Sequence, residues 1–166
     1  MEHILRASAS ITNEREFVVL GSQALLASVP DLPPPLNQSM DLDLYPLHNP
    51  DAANLIDGTI GELSPFDEAF GYYAHGVGPE TAVLPQNWRK RATVVENANT
   101  FGARGICLSP VDLAISKLAA GREKDIEFVA AMINAGIILM RDISDILPEM
   151  GNSEEQIVTK NIERLK

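Results

Sequence analysis

The tightest constraint in this chain lies between Phe17 and Tyr45, where two short hydrophobic segments flank a proline-rich excursion. Phe17-Val18-Val19-Leu20 is a continuous apolar run with the length of a buried strand, and it delivers the chain to Gly21-Ser22. Gln23 to Ser28 reads as a short helix, stopped by Pro30, Pro33, Pro34 and Pro35. Proline lacks the N–H and fixes φ, so the excursion is neither helix nor central strand. It reads as a surface loop, either a tolerated insertion or a wall over a ligand. The next strand, Asp41-Leu42-Asp43-Leu44-Tyr45, alternates strictly.

Strand residues two apart share a face, so Asp41 and Asp43 point one way and Leu42 and Leu44 the other. Their Cβ atoms then stand roughly 7 Å apart, close enough for both carboxylates to turn onto one Mg²⁺ or an adjacent pair. Like charges side by side repel, and a divalent cation relieves that repulsion. A strand whose polar face simply meets water would show the same alternation. The Gly21-Ser22 turn favours the metal reading, because a glycine lets backbone approach a ligand and a helix start offers free N–H groups to phosphate.

The order strand, Gly21-Ser22, helix, strand, Asp41-Leu42-Asp43 resembles the signature of the DNA polymerase β-like nucleotidyltransferase superfamily, particularly its small bacterial members related to abortive-infection toxins. The stretch LSPVDLAISKLAAGREKDIEFV is similar to the helical segment of those relatives, and the resemblance spans about Phe17 to Ile138. It implies that Gly21 and Ser22 seat nucleotide phosphates and that Asp41 and Asp43 hold the catalytic Mg²⁺ (or Mn²⁺). It also implies that Lys117 approaches the triphosphate, with Arg122 or Lys124 meeting phosphates. A third carboxylate on a later strand completes the pattern. Glu80, at the head of the β-rich run Thr81-Ala82-Val83-Leu84, is the candidate; a solvated strand end is the other reading of it. The Ser22-to-Asp41 spacing exceeds the family pattern by the segment PDLPPPLNQS.

Composition narrows the function classes. With 23 Asp+Glu against 13 Lys+Arg, the net charge of −10 disfavours a non-specific nucleic-acid binder, which needs a basic footprint. A nucleotide accompanied by Mg²⁺ remains compatible with it. At 166 residues, 45% of them apolar, the chain is long enough for one domain with its own core. No apolar run approaches the ~20 residues that cross a bilayer, and MEHILRASASITNERE lacks a basic leader with an apolar region. The lone Cys107 reads as a small buried side chain in a reducing cytosol. A cytoplasmic protein is therefore expected, without membrane attachment.

Elsewhere the signals are local. Ile4, Leu5 and Ala7 suggest an opening helix that ends before Thr12-Asn13. Asn49-Pro50-Asp51 and Ser64-Pro65 mark helix starts, and GYYAHGVGPETAVLPQNWRKRATVVE reads as three short strands with turns. Within it, His75 has two readings, a base or substrate contact and, favoured by its aromatic flanks, a structural histidine. Trp88-Arg89-Lys90-Arg91 likewise reads as a contact to a nucleic-acid phosphate or base or, the favoured reading, as an exposed connection between strands with Trp88 packed inward. Asp67, Glu68 and Glu62 sit on expected helices and are weaker site candidates. Arg91–Glu96 and Gly105–Leu108 read as strands; Ser109-Pro110 then opens a helix to Gly121, and Arg122 opens the next. A helix from Asp142 and a last one over Glu154 to Lys166 follow, the latter with an apolar stripe at Ile157, Val158, Ile162 and Leu165.

The expected fold is α/β, a small mixed sheet flanked by helices in one nucleotidyltransferase-like domain over 1–166, its core at about 14–108 and a helical part at about 109–166. The expected function is metal-dependent transfer of NMP from an NTP to a hydroxyl on RNA, protein or a small molecule. The resemblance adds a toxin role with a cognate antitoxin as partner. The alternative is a catalytically degenerate fold that serves as a binding or interaction protein.

Overall fold

A computed structural model describes residues 1–165. The fold is α/β, built on a five-stranded mixed sheet. Helix α1 (Glu2–Thr12) leads into strand β1 (Glu16–Val19), and Gly21 then opens a 3-10 turn at Ser22–Ala27. The proline segment contributes a second 3-10 turn, Pro34–Leu36, before β2 (Asp41–Pro46). Next come α2 (Ala53–Ile60), α3 (Pro65–Phe70), β3 (Tyr73–Gly76), α4 (Trp88–Arg91), β4 (Thr93–Val95) and β5 (Arg104–Cys107). Four helices finish the chain: α5 (Pro110–Ala120), α6 (Glu123–Asn134), α7 (Met140–Ile146) and α8 (Asn152–Ile162). The expected last helix is described as far as Leu165, and Lys166 lies outside the described residues.

The strand order is β3-β2-β1-β5-β4, with β1 antiparallel to β2 and parallel to β5, and β2 parallel to β3. Register decides what each face carries, because paired residues share a face. Leu44 pairs with Val19 and Gly76, Leu42 with Ala74, and Val19 with Cys107. These apolar residues form one face, and α1 and α2 cover it. A Cβ added at Gly105 would come within 2.9 Å of Leu5 on α1, and one at Gly76 within 2.0 Å of the Ala53 carbonyl on α2. The other face carries Val18, Asp41, Asp43, Tyr73 and His75, and the C-terminal helices α5 and α6 close over its end. Burial of Phe17, Val18, Val19 and Leu20 alike follows from this two-sided covering.

Local chemistry sets several boundaries. Ser109 accepts a hydrogen bond from the Asp112 N–H and Pro110 occupies the first turn of α5; Ser64 and Pro65 do the same for α3. Gly121 stops α5 in the left-handed conformation, φ 66°, with its N–H returned to the Lys117 carbonyl.

The region 71–96 differs from expectation. It holds two strands, β3 and β4, rather than three; Thr81–Leu84 is not a strand, and Glu80 lies in a 3-10 turn at Pro79–Thr81. The β propensity of that run is overridden because β3 is already the sheet's outer strand and Pro79 and Pro85 bracket the segment. The basic stretch is also more than a connection. It forms α4, and Arg91 donates to buried Asp112 on α5 (2.7 Å) and to Glu149 (3.0 Å), which ties the segment to the C-terminal helices.

Candidate active site

Gly21 follows β1 with φ 66° and ψ −175°, a conformation open to glycine and strained for other residues. The glycine is required a second time by contact: a Cβ there would fall 2.1 Å from Asp43 Oδ2. The carboxylate of Asp43 thus occupies the space a side chain at position 21 would need. Backbone pairing fixes this approach, since the Leu20 N–H donates to the Asp43 carbonyl at 2.9 Å.

Asp41 and Asp43 share a face of β2, as alternation predicts, and β3 sets His75 directly beside Asp43. His75 Nδ1 lies 2.8 Å from Asp43 Oδ1. One ligand atom from each of Asp41, Asp43 and His75 can be chosen so that all lie within 4.8 Å of one another. Ser39 donates its hydroxyl to Asp41 Oδ1, and Gln23 reaches across the loop to the Ser39 carbonyl at 2.6 Å. Burial pushes the Asp43 carboxyl above its usual range and the neighbouring Asp41 charge pushes it further; the His75 hydrogen bond and the Lys117 charge pull the other way.

The same cavity is lined by a cationic pair whose charges act on Asp43. Asp125, at the start of α6, is 1% exposed and binds Lys117 Nζ at 3.2 Å and Arg122 Nε at 2.5 Å. Its burial opposes ionisation, but the hydrogen bonds and charges of Arg122 and Lys117 outweigh that and hold its carboxyl below the usual range. The Asp125 hydrogen bond in turn raises the Arg122 guanidinium, against the cost of burial. Lys117 Nζ also sits 4.4 Å from the centre of the Phe128 ring. One buried carboxylate therefore fixes two cations at the cavity wall.

The cavity, open to solvent, has a volume of about 680 Å³. Gly21, Ser22, Asp41, Asp43, Lys117, Arg122 and Lys124 all line it, so the structure brings together seven of the eight residues singled out from sequence. The proline segment supplies one wall through Pro35, Leu36, Gln38 and Ser39, and Leu36 is anchored by burial. Glu80 is not among the lining residues. It is exposed, with its carboxylate folded over Gly78, where an added Cβ would fall 2.1 Å from Oε1. His75 takes the position beside the aspartates instead, and sequence reasoning missed it because the pairing of β2 with β3 is not written in either segment alone.

The donor set fits a divalent cation. Two carboxylates converge with their mutual repulsion only partly relieved by His75 and Lys117, and a glycine makes room for one of them in the cavity wall.

No curated protein and no solved structure gives a match to this chain. A protein-family model matches residues 3–162, almost the whole length. The chain belongs to the family described as nucleotidyltransferase of unknown function (DUF6036).

Proposed function

We propose that this protein is a metal-dependent nucleotidyltransferase that moves NMP from an NTP to a hydroxyl acceptor on RNA, protein or a small molecule. The observation that carries the reading is that one cavity is lined by both the Asp41–Asp43 pair and the Lys117–Arg122 pair. In it, Asp41 and Asp43 hold Mg²⁺ or Mn²⁺, which when bound neutralises phosphate charge and lowers the barrier to attack by the acceptor oxygen. Gly21 and Ser22 seat the phosphates against bare backbone. Lys117 and Arg122 face the β- and γ-phosphates, and Lys124 adds charge at the rim.

In the reaction the acceptor oxygen forms a bond to the α-phosphorus, the α–β bridging bond breaks, and pyrophosphate leaves with its charge met by Lys117 and Arg122. The acceptor proton is released. Asp125 acts as a positioning residue: it touches neither nucleotide nor acceptor and holds both cations in place before substrate arrives. The Pro35–Ser39 wall and Phe128 offer the apolar surface a nucleobase needs.

The abortive-infection resemblance extends this to a single-domain cytoplasmic toxin with an antitoxin partner. The test incubates the protein with each α-³²P-labelled NTP, Mg²⁺ or Mn²⁺, total RNA and candidate proteins. Label transferred by the wild type and lost in the Asp41→Asn/Asp43→Asn double variant supports the reading and names the acceptor. No transfer with any NTP rejects it.

A further inference from the structure

We infer that His75 gives the cation site a nitrogen ligand and thereby makes the centre select Mn²⁺ over Mg²⁺. The inference rests on the nucleotidyl-transfer reading for the presence of a cation, and adds which cation the residues favour.

The ladder supplies the first ground. His75 lies on the outer strand, in parallel register with Asp43, so its side chain leaves the sheet on the same face and one strand spacing away. The strand cannot drift out of this register easily, because the backbone of the next residue, Gly76, is pressed against the Ala53 carbonyl of α2. The side chain of His75 is 53% exposed, yet its imidazole turns inward to Asp43 instead of out to water. Among the described residues, this imidazole and the two aspartates are the grouped donors at the site, and the carboxylate expected from sequence, Glu80, folds over Gly78.

Ligand chemistry supplies the second ground. Mg²⁺ is a hard ion that takes oxygen ligands in a strict octahedron and sheds its water reluctantly. Mn²⁺ has the same charge and octahedral preference and also favours oxygen, but as a first-row transition ion it tolerates one imidazole among carboxylates better than Mg²⁺ does. Two carboxylates and one imidazole form a mixed set that favours Mn²⁺. A three-carboxylate set has no such bias.

His75 has one other role open to it, that of a hydrogen-bond partner that orients a ligating Asp43 without touching the cation. The two are separable by spectroscopy. The metal-free full-length protein is loaded with Mn²⁺ alone, and again with Mn²⁺ and a non-hydrolysable NTP analogue, and electron spin echo envelope modulation reads the ¹⁴N coupling of a directly bound imidazole. The chain has three histidines, and the other two are engaged elsewhere: His3 with Tyr72 and the Phe66–Phe70 pair, His48 with Glu16.

The expected result is ¹⁴N coupling in the wild type that disappears in His75→Asp and in His75→Gln. Competition binding should show the Mn²⁺-over-Mg²⁺ preference fall by about tenfold or more in His75→Asp, the usual scale for altered metal surroundings. Unchanged circular dichroism qualifies each variant as folded, and the Gln variant stands in should the Asp variant not fold. Bound Mn²⁺ without ¹⁴N coupling in a wild type that transfers label overturns this inference and leaves the nucleotidyl-transfer reading standing. Failure of the wild type to bind Mn²⁺ overturns this inference, and failure to bind either Mn²⁺ or Mg²⁺ even with the NTP analogue overturns both.

Discussion

Asp43→Asn is expected to make the metal-free protein more stable while removing its activity. Asp43 and Asp41 present ligand oxygens no more than 4.8 Å apart, which at an effective dielectric of ~20 is a repulsion of about 3 kcal/mol. Burial adds to the cost of charging Asp43, and the His75 hydrogen bond and the Lys117 charge offset part of it, by about 1–2 kcal/mol. An asparagine keeps the shape and drops the charge, so a net gain of about 1–2 kcal/mol follows, or about 2–8 °C in Tm for a chain of this size. The pH dependence has a definite sign. Folding raises the Asp43 pKa, so the native state holds a proton that the unfolded state releases, and stability falls as pH rises through that interval above 3.8. The advantage of the variant is therefore full near neutral pH and shrinks toward about pH 4. Adding Mn²⁺ should reverse the ranking, because a cation at 100 times its dissociation constant stabilises the wild type by about 2.7 kcal/mol and the variant by less. Differential scanning calorimetry in chelator, then in Mn²⁺, measures all three effects. A variant that melts at or below the wild type in chelator near neutral pH refutes the charge argument.

Gly21→Ala introduces a Cβ 2.1 Å from Asp43 Oδ2 at φ 66°, and a loss of at least about 1–2 kcal/mol in thermal melts is expected, together with loss of label transfer. Asp125→Asn strips the partner from Lys117 and Arg122; urea titration should show a loss of about 3 kcal/mol. Because folding lowers the Asp125 pKa, its contribution is present above the unfolded value of 3.8 and is lost as pH falls through the folded one, so the wild type and this variant should converge in acid. Cys107 is fully buried beside Met1 and its thiol is pushed up to about 12, so a thiol reagent should leave the native protein unlabelled and react on unfolding.

The parts of this architecture that could be read from sequence are those whose cause lies within a few residues. Alternation placed Asp41 and Asp43 on one face, proline ended the helix after Ser28, and Ser109-Pro110 announced α5. The α/β class followed from strand and helix signals in alternation. What failed depended on neighbours. Thr81–Leu84 has strand-like composition but, bracketed by Pro79 and Pro85, joins no edge of the sheet, and Glu80 lies outside the site with it. His75 looked like an ordinary histidine among aromatics until the β2–β3 register set it beside Asp43. Asp125 lies in the first turn of α6, where a carboxylate suits the dipole of any helix, and only the return of α6 against α5 made it the common partner of Lys117 and Arg122.

These misses share a direction that bears on function. Two of them, His75 and Asp125, are titratable groups whose local sequence gives a bland account and whose tertiary setting is specific: paired aspartates beside a histidine, and two cations sharing one buried carboxylate. A protein shaped only for stability would neutralise the first group with a basic side chain and leave the second in water. Here Lys117 and Arg122 are bonded to Asp125, and among the described hydrogen bonds and ion pairs no lysine or arginine is bound to Asp41 or Asp43, whose partners are Ser39 and His75. One cavity thus offers carboxylates to a cation and cations to a polyphosphate, so a complex in which the two enter together satisfies both groups. Binding of the two should accordingly be cooperative, with each strengthening the other by the same factor.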